Sequence, residues 1–392
     1  MSRSVIVAGA RTPIGKLAGA LAPLSAQDLG GAAIRAILER TSVDPATIDV
    51  VLMGQVIQAG QGQITARQAA VKAGIPMTVH ATTINKVCLS GLQTLYLADL
   101  MIRAGDADIV VAGGMESMTN APYLLPGARA GYRLGDQAVV DAMMLDGLTC
   151  AFDQCAMGLA TERHNGGRIT RQRQDEFSAR SHQLAAAAIA EGRFAHEIVP
   201  VSVPQRKGDP LVVDTDEGVR AQTTAASLAA LRPAFQPDGT ISAGNASQIS
   251  DGGAALLVMS AQRAADLGLT PLGELVSYGQ VAGPDTSLLL QPSHAITQAA
   301  NKAGLDPRSL DLYEINEAFA AVALASADDL RIEESRLNVN GGAVALGHPV
   351  GMSGARLALT ALTELHRRGG GTAAVALCGG GGQGDAAILR TL

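Results

Sequence analysis

The chain has no tryptophan, and aromatic residues make up only 3% of its 392 positions. Its core must therefore be filled by small and aliphatic side chains, and 45 glycines permit close approach of backbone segments. Four cysteines, Cys88, Cys150, Cys155 and Cys378, do not make a disulfide framework in a chain of this length. A reducing cytoplasm is the expected setting, where cysteines serve as packed thiols, ligands or nucleophiles. No run of 18 apolar residues occurs, so no membrane span is expected. The opening MSRSVIVAGARTPIG lacks the charged, apolar and cleavage segments of a secretory leader, and none is expected. Lysine and arginine form no run and the net charge is −6, which gives no support to nucleic-acid binding. What is present is 47% hydrophobic and 17% charged residues, the balance of a well-packed globular protein. Its length calls for two domains or two fused halves.

An internal repeat favours fused halves. VDPATIDVVLMGQV from Val43 parallels LDPRSLDLYEINEA from Leu305. Ser90-Gly91 opens one apolar helical segment and Ser353-Gly354 opens another. The offset runs from 262 positions (Asp44 to Asp306) to 266 (Ala112 to Cys378). Each half alternates short β-branched runs with helical patterns, which predicts mostly parallel sheets. Segment 89–103 is apolar on nearly every face, which predicts a helix buried all round between two sheets. Residues 116–245 break the pattern with prolines, scattered arginines and a polar helix, and read as an insertion over the catalytic face. The expected division is 1–115 with 246–270, the insertion 116–245, and 271–392.

Four glycine-bounded patches carry the chemistry: NKVCLSG (85–91), EINEAFA (314–320), NVNGGAVALGHPVGMSGAR (338–356) and ALCGGGGQGDA (376–386). Each falls at or after a strand's C-terminal end, where α/β sheets bind ligands. Cys88 sits at a helix start, where free N–H groups and the dipole lower a thiol pKa. Taken alone it is equally a small buried hydrophobe. His348 sits between Gly347 and Pro349 in a loop; it can take a proton from a thiol or simply satisfy its own loop. Cys378 precedes four glycines whose N–H groups can form an oxyanion nest, although a structural turn explains them too. Only Asp385–Leu392 follow GGGGQG, too little for a dinucleotide-binding βαβ unit. Asn316 can donate to an oxyanion and Glu317 can orient a histidine. Cys150 and Cys155 lack nearby paired ligands and read as structural, with no metal site expected.

Together the four patches resemble the thiolase family, and within it the acetyl-CoA acetyltransferases. The likeness extends over the whole chain, including VAGARTPIGKLAG and GGMESMTNAPY. The resemblance implies a layered αβαβα fold of two similar βαβαβαββ halves, a loop domain binding coenzyme A, and a homodimer or homotetramer. It implies reversible condensation of two acetyl-CoA to acetoacetyl-CoA, or thiolysis, through an acetyl-cysteine, with coenzyme A thioesters as substrates and no cofactor. In that reading Cys88 is acylated and His348 activates it. Asn316 acts in an oxyanion hole through a water, and Cys378 is the acid and base. The N–H groups of Cys88 and Gly380 form a second oxyanion hole. Met157, Arg220, Ser227, Ala246, Ser247, Ala318 and Phe319 surround coenzyme A and the acyl group.

Three positions depart from the family pattern. Ala156 stands where many short-chain members have histidine, Met352 where alanine is common, and Gln248 where glycine is usual. Met157, Phe319 and Met352 are expected to close the acyl end of the pocket, while Ala156 is expected to open it. A broad-range 3-ketoacyl-CoA thiolase is thus the alternative reading. A ketoacyl synthase would need a histidine or asparagine in place of Cys378. A non-enzymatic acyl-CoA carrier would have lost a catalytic cysteine or His348.

Overall fold

The computed structural model describes residues 3–392. The first sheet runs, in spatial order, Ser4–Arg11, Ser250–Ser260, Ile109–Ser117, Val50–Gly54, His80–Ile84. The second runs Glu274–Ala282, Gln383–Arg390, Thr372–Gly379, Leu312–Ile315. The repeat is visible strand by strand in these orders. The second sheet has no full counterpart of His80–Ile84; a single parallel bridge, Tyr313 to Leu337, marks its place. As expected of mostly parallel sheets, all but one of the strands just named run the same way in each sheet. Each sheet is mixed, because the 250–260 strand returns antiparallel between two neighbours and the glycine run turns 372–379 back as a hairpin.

The layers are αβαβα. Two central helices, Ser90–Ala104 and Ser353–Arg367, lie between the sheets. Their Leu92, Leu95, Ile102, Leu357 and Leu362 share one apolar cluster with Val110, Leu256, Val375 and Leu389 from both sheets. The helices Ala26–Thr41 and Thr65–Lys72 cover the outer face of the first sheet. Gln291–Ala303 and Ala320–Leu330 cover the second. Strands buried on both faces explain the continuous apolar runs: every residue of 4–11, 109–117 and 250–260 is buried.

The first central helix is not buried all round. Leu100 is 42% exposed, and Gln93, Tyr96, Leu97 and Met101 on the same stripe are only partly covered. Beside it the strand His80–Ile84 ends its sheet with one edge unpaired. The second central helix is buried as far as Leu362.

The segment between Ser117 and Ser250 contains the predicted polar helix, Arg171–Ala190, capped by Thr170. It is fastened to the first strand by Arg11. That guanidinium is wholly buried and meets Asp216 at 2.7 Å and Glu197 at 2.9 Å. Charges so deeply buried are tolerated because each is paired and hydrogen-bonded.

Candidate active site

Both central helices begin with Ser-Gly, and both serines brace a reagent loop. Ser90 Oγ donates to Val87 O at 2.6 Å and accepts from Lys86 N at 2.8 Å. Ser353 Oγ faces His348 Nδ1 at 2.6 Å and donates to Pro349 O at 2.9 Å. The glycines let the two helix starts touch. A Cβ on Gly354 would lie 2.3 Å from Leu92 N, and one on Gly91 would lie 2.8 Å from Gly351 O. Neither site tolerates a methyl group without the backbones parting. The contact brings the Cys88 loop and the His348 loop to one cavity of about 540 Å³.

Upstream of Cys88, each residue of the motif has a task. Asn85 Oδ1 accepts from Val87 N at 3.0 Å, forming an Asx turn. Lys86 Nζ reaches both oxygens of Asp385 at 2.8 Å, pinning the loop to the second half. Val87 has φ of +50°. A β-branched residue rarely adopts that conformation, and here it sits next to the candidate nucleophile.

His348 is 5% exposed and held from three sides. Its N–H donates to Gln248 O at 3.0 Å, and Asn316 Nδ2 lies 3.2 Å from Nε2. Since Ser353 Oγ spends its proton on Pro349, it accepts from Nδ1–H. That leaves a lone pair on Nε2, with Asn316 as its donor. Unprotonated Nε2, accepting from Asn316, is thus the ring's available proton acceptor in the cavity wall.

The glycine run is a hairpin turn between Thr372–Gly379 and Gln383–Arg390. Only Gly381 and Gly382 have positive φ, +77° and +68°. Cys378 closes the strand before the turn, and its side chain faces the same cavity as Cys88. The N–H groups of Cys88 and Gly380 bond to no backbone carbonyl in the loops.

The expected lowering of the Cys88 pKa is not what the structure gives. The helix starts only at Ser90, two residues later. Burial dominates and pushes the Cys88 thiol up to about 12. Cys378 is raised too, by burial first and by neighbouring Cys88 second. Burial, and then the charge of Arg356, push His348 down to about 3. The resting site is therefore two neutral thiols and a neutral imidazole. A thiolate forms only by handing its proton across the cavity.

Met157, Ser247, Ala318 and Phe319 line the cavity. Ala246 stands behind them, bridged to Phe319, while Ser247 N donates to Ala318 O at 3.0 Å. Arg220 and Ser227 lie on the exposed surface of the insertion, outside the cavity. There Ser227 closes a capping box with Thr224.

Three expectations fail. Met352 does not close the acyl end; it is buried beside Ile14, Ala254 and Ala355. Ala156 does not line the cavity. Glu317 does not touch His348. It accepts from Ser181 Oγ, Asn338 Nδ2 and Val344 N at 2.8, 2.9 and 3.0 Å, and so braces the segment that leads to the histidine loop.

Other residues were invisible in the sequence. Leu148, Leu288, Val56 and Val350 supply apolar wall. Buried Glu116 accepts from Val56 N, Ile57 N and Gly351 N at 2.9, 3.1 and 3.0 Å, joining one wall to the histidine loop. Gln248 Nε2 donates to Gly218, Val344 and Ala345 carbonyls at 2.9–3.0 Å. The usual glycine would leave this junction open. Nothing in the pattern around Glu116 marks it, and Gln248 stood out only as a departure from glycine, because the partners of both are backbone groups far away in sequence.

Comparison with known proteins agrees with this geometry. Residues 4–262 match the family model for the thiolase N-terminal domain and residues 269–391 that for the C-terminal domain. A Mycolicibacterium smegmatis protein named "Probable acetyl-CoA acetyltransferase" is 57% identical over 98% of this chain and 100% of its own length. The acetyl-CoA acetyltransferase of Pseudomonas aeruginosa is 50% identical over 99% of each. The crystal structure of the Bacillus anthracis acetyl-CoA acetyltransferase superimposes with a TM-score of 0.97 at 39% identity, covering 100% of this chain and 99% of that one. With both family models matched and relatives aligned from end to end, this chain belongs to the thiolase family.

Proposed function

We infer that this chain is an acetyl-CoA acetyltransferase, an acyltransferase that interconverts two acetyl-CoA with acetoacetyl-CoA and coenzyme A. The observation that carries the reading is one apolar-walled cavity that gathers two thiols, an imidazole with an unprotonated Nε2 and a glycine turn. Relatives at 50–57% identity bear the same name.

In the mechanism we propose, a thioester enters and Cys88 passes its proton to His348 Nε2. The thiolate attacks the thioester carbonyl, whose oxygen takes hydrogen bonds from the N–H groups of Cys88 and Gly380. The tetrahedral intermediate collapses to acyl-Cys88, and the departing coenzyme A sulfur takes the Cys378 proton. Cys378, now the base, removes a C2 proton from a second acetyl-CoA. The resulting enolate oxygen is held by His348 and by Asn316 through a water. Enolate carbon then attacks the acyl-Cys88 carbonyl, the carbon–carbon bond forms, and Cys88 leaves as a thiolate that takes its proton back from His348. Preorganised donors in a dry cavity suit both charged intermediates. Met157, Phe319, Ser247, Ala318 and Ala246 surround the acyl end. Arg220 and Ser227 hold coenzyme A at the surface of the insertion.

The division into 1–115 with 246–270, 116–245 and 271–392 belongs to the same reading, supported by strand membership of the two sheets. The first boundary falls just inside a strand that runs to Ser117. A homo-oligomer, dimer or tetramer, is supported by the uncovered stripe of the first central helix and the free edge of His80–Ile84. Among the described residues, no helix is long and apolar enough to cross a membrane. We place the enzyme in the cytoplasm, with no cofactor beyond its thioester substrate.

Acetoacetyl-CoA is the preferred 3-ketoacyl substrate in this reading, because Leu148, Met157, Leu288 and Phe319 crowd the cavity and Phe235 backs Phe319 edge-on at 6.2 Å. Each methylene refused is worth about 1–3 kcal/mol. Thiolysis of C4, C6, C8 and C10 3-ketoacyl-CoA under one set of conditions tests it. Highest kcat/KM at C4 is expected; a maximum at C8 or longer would make the enzyme a broad-range degradative thiolase.

A further inference from the structure

Two cysteines take no part in the mechanism, and the fold sets them face to face. Thr149–Cys150 and Cys155–Ala156 form a short antiparallel hairpin in which Cys150 is the register partner of Cys155. Opposed residues of such a pair lie about 4.5–5.5 Å apart at Cα with side chains on one face. A disulfide spans about 4.4–6.8 Å. Both thiols are free, and their sulfurs are turned to other partners. Cys150 Sγ lies 3.4 Å from both Asp153 Oδ2 and Asp153 N, and Arg163 Nη1 lies 3.7 Å from Cys155 Sγ. The register puts the two Cα atoms within the usual span of a disulfide, so joining the sulfurs asks for side-chain rotation rather than a new strand pairing.

The hairpin is also a wall of the active cavity. Cys150, Ala151 and Phe152 line it, and Phe152 lies against the catalytic glycine turn, 2.9 Å from where a Cβ on Gly381 would be. Cys155 is partly exposed, does not line the cavity, and has the Arg163 guanidinium facing any negative charge that develops on its sulfur. Cys150 is buried directly across from it.

We propose that Cys150 and Cys155 are a redox modification site that takes a hydroperoxide and forms a reversible disulfide in the cavity wall. Cys155 sulfur attacks the terminal peroxide oxygen. The O–O bond breaks, the sulfur becomes a sulfenic acid, and the other oxygen leaves as water or an alcohol with the thiol proton. Cys150 sulfur then attacks Cys155 sulfur. The S–S bond forms, the S–O bond breaks, and hydroxide leaves with the Cys150 proton as water. Two thiols lose two electrons in all and one peroxide gains them. The disulfide closes residues 150–155 into a ring, takes Cys150 from Asp153, and fixes Phe152 over the entrance. Cys378 is buried, and Cys88, partly exposed like Cys155, is held with it as a thiol, which slows their oxidation.

Chymotrypsin provides the test, because it cuts after Phe152, between the two cysteines. The reduced enzyme is treated with one equivalent of hydrogen peroxide, alkylated in denaturant, digested without reductant and analysed by mass spectrometry. The expected result is a pair of fragments carrying Cys150 and Cys155 joined with the loss of two hydrogens and separated by dithiothreitol. Cys88 and Cys378 should be recovered alkylated in the same sample. Cys155→Ser, which leaves the cavity lining intact, should keep its thiolysis rate and yield no joined fragments. Alkylation of both Cys150 and Cys155 after peroxide would overturn the proposal. So would a joined product found only between two chains, or consumption of Cys88 before the pair.

Discussion

The two central helices begin alike and end in different surroundings. Each opens with Ser-Gly, each serine braces the loop before it, and each loop delivers one reagent. The first loop brings Cys88 and the second brings His348. Beyond the first turn they diverge. The second helix is buried as far as Leu362, whereas the first leaves Gln93, Tyr96, Leu97, Leu100 and Met101 partly open. The shared start explains how a duplicated unit builds an active site: identical geometry, different chemistry at the tip. The divergent stripe leaves apolar side chains open on the first half alone, and this is the face that the proposed homo-oligomer would use.

Removing the nucleophile is expected to break the comparison most severely. Cys88→Ala should lower kcat by about 10⁴–10⁶-fold, the range seen when a nucleophile is deleted. Steady-state thiolysis measures it, and retention of a tenth of the rate would mean that another group carries the acyl chain. Cys378→Ala should separate the two steps. Proton exchange at C2 of acetyl-CoA should fall by about 10²–10⁴-fold, while acylation by a donor thioester continues. Exchange at the normal rate would assign the base elsewhere.

The contact between helix starts can be probed directly. In Gly354→Ala the new methyl collides with the backbone of the first central helix, 2.3 Å from Leu92 N. Overpacking of this kind costs about 1–3 kcal/mol, and the displaced His348 should cut kcat by about 10²-fold. Urea denaturation and thiolysis kinetics report the two effects. A variant with normal stability and rate would show that the close approach is dispensable.

The stripe is tested by charge. Leu97→Asp combined with Leu100→Asp should weaken self-association by about tenfold or more, since each buried leucine contributes about 1.5–3 kcal/mol. Sedimentation velocity across a dilution series reads it. An unchanged profile would remove this face from the interface.

The smallest effect concerns pH. Burial holds His348 down to about 3 and His182 down to about 4, both below the ordinary 6.5. The unfolded chain therefore binds more protons than the native one between those values and 6.5. The stability from keeping these rings neutral is present above pH 6.5 and is lost as pH falls toward 4 and then 3. Urea midpoints at pH 7.5 and 5 should differ less in His182→Asn than in the parent. Equal differences would show that the ring titrates normally.

The candidate catalytic set, which the structure gathers at one cavity, was legible because its signals are local. Cys88 before Ser-Gly, His348 between glycine and proline, and Cys378 before a glycine run are all short patterns with a backbone reason. The fused halves were legible from the constant offset. Met352 misled because a side chain one residue before a helix points according to the packing of that helix, which the sequence does not show. The single reversed strand of the second sheet was not legible because a glycine run reads equally as a nest and as a hairpin turn. Glu116, and the contacts though not the oddity of Gln248, were hidden because backbone groups from distant segments hold them, and no spacing rule records such partners. The uncovered stripe was read as core, since an apolar face looks the same whether its neighbour is the same chain or a second one.

One measurement addresses the central assignment most directly. The parent enzyme and Cys378→Ala are incubated briefly with acetyl-CoA, quenched in acid, digested and analysed by mass spectrometry. An acetyl group on the Cys88 peptide of both proteins is the predicted result. Acetylation of Cys378 in the parent, or of any residue other than Cys88 in either protein, would contradict it.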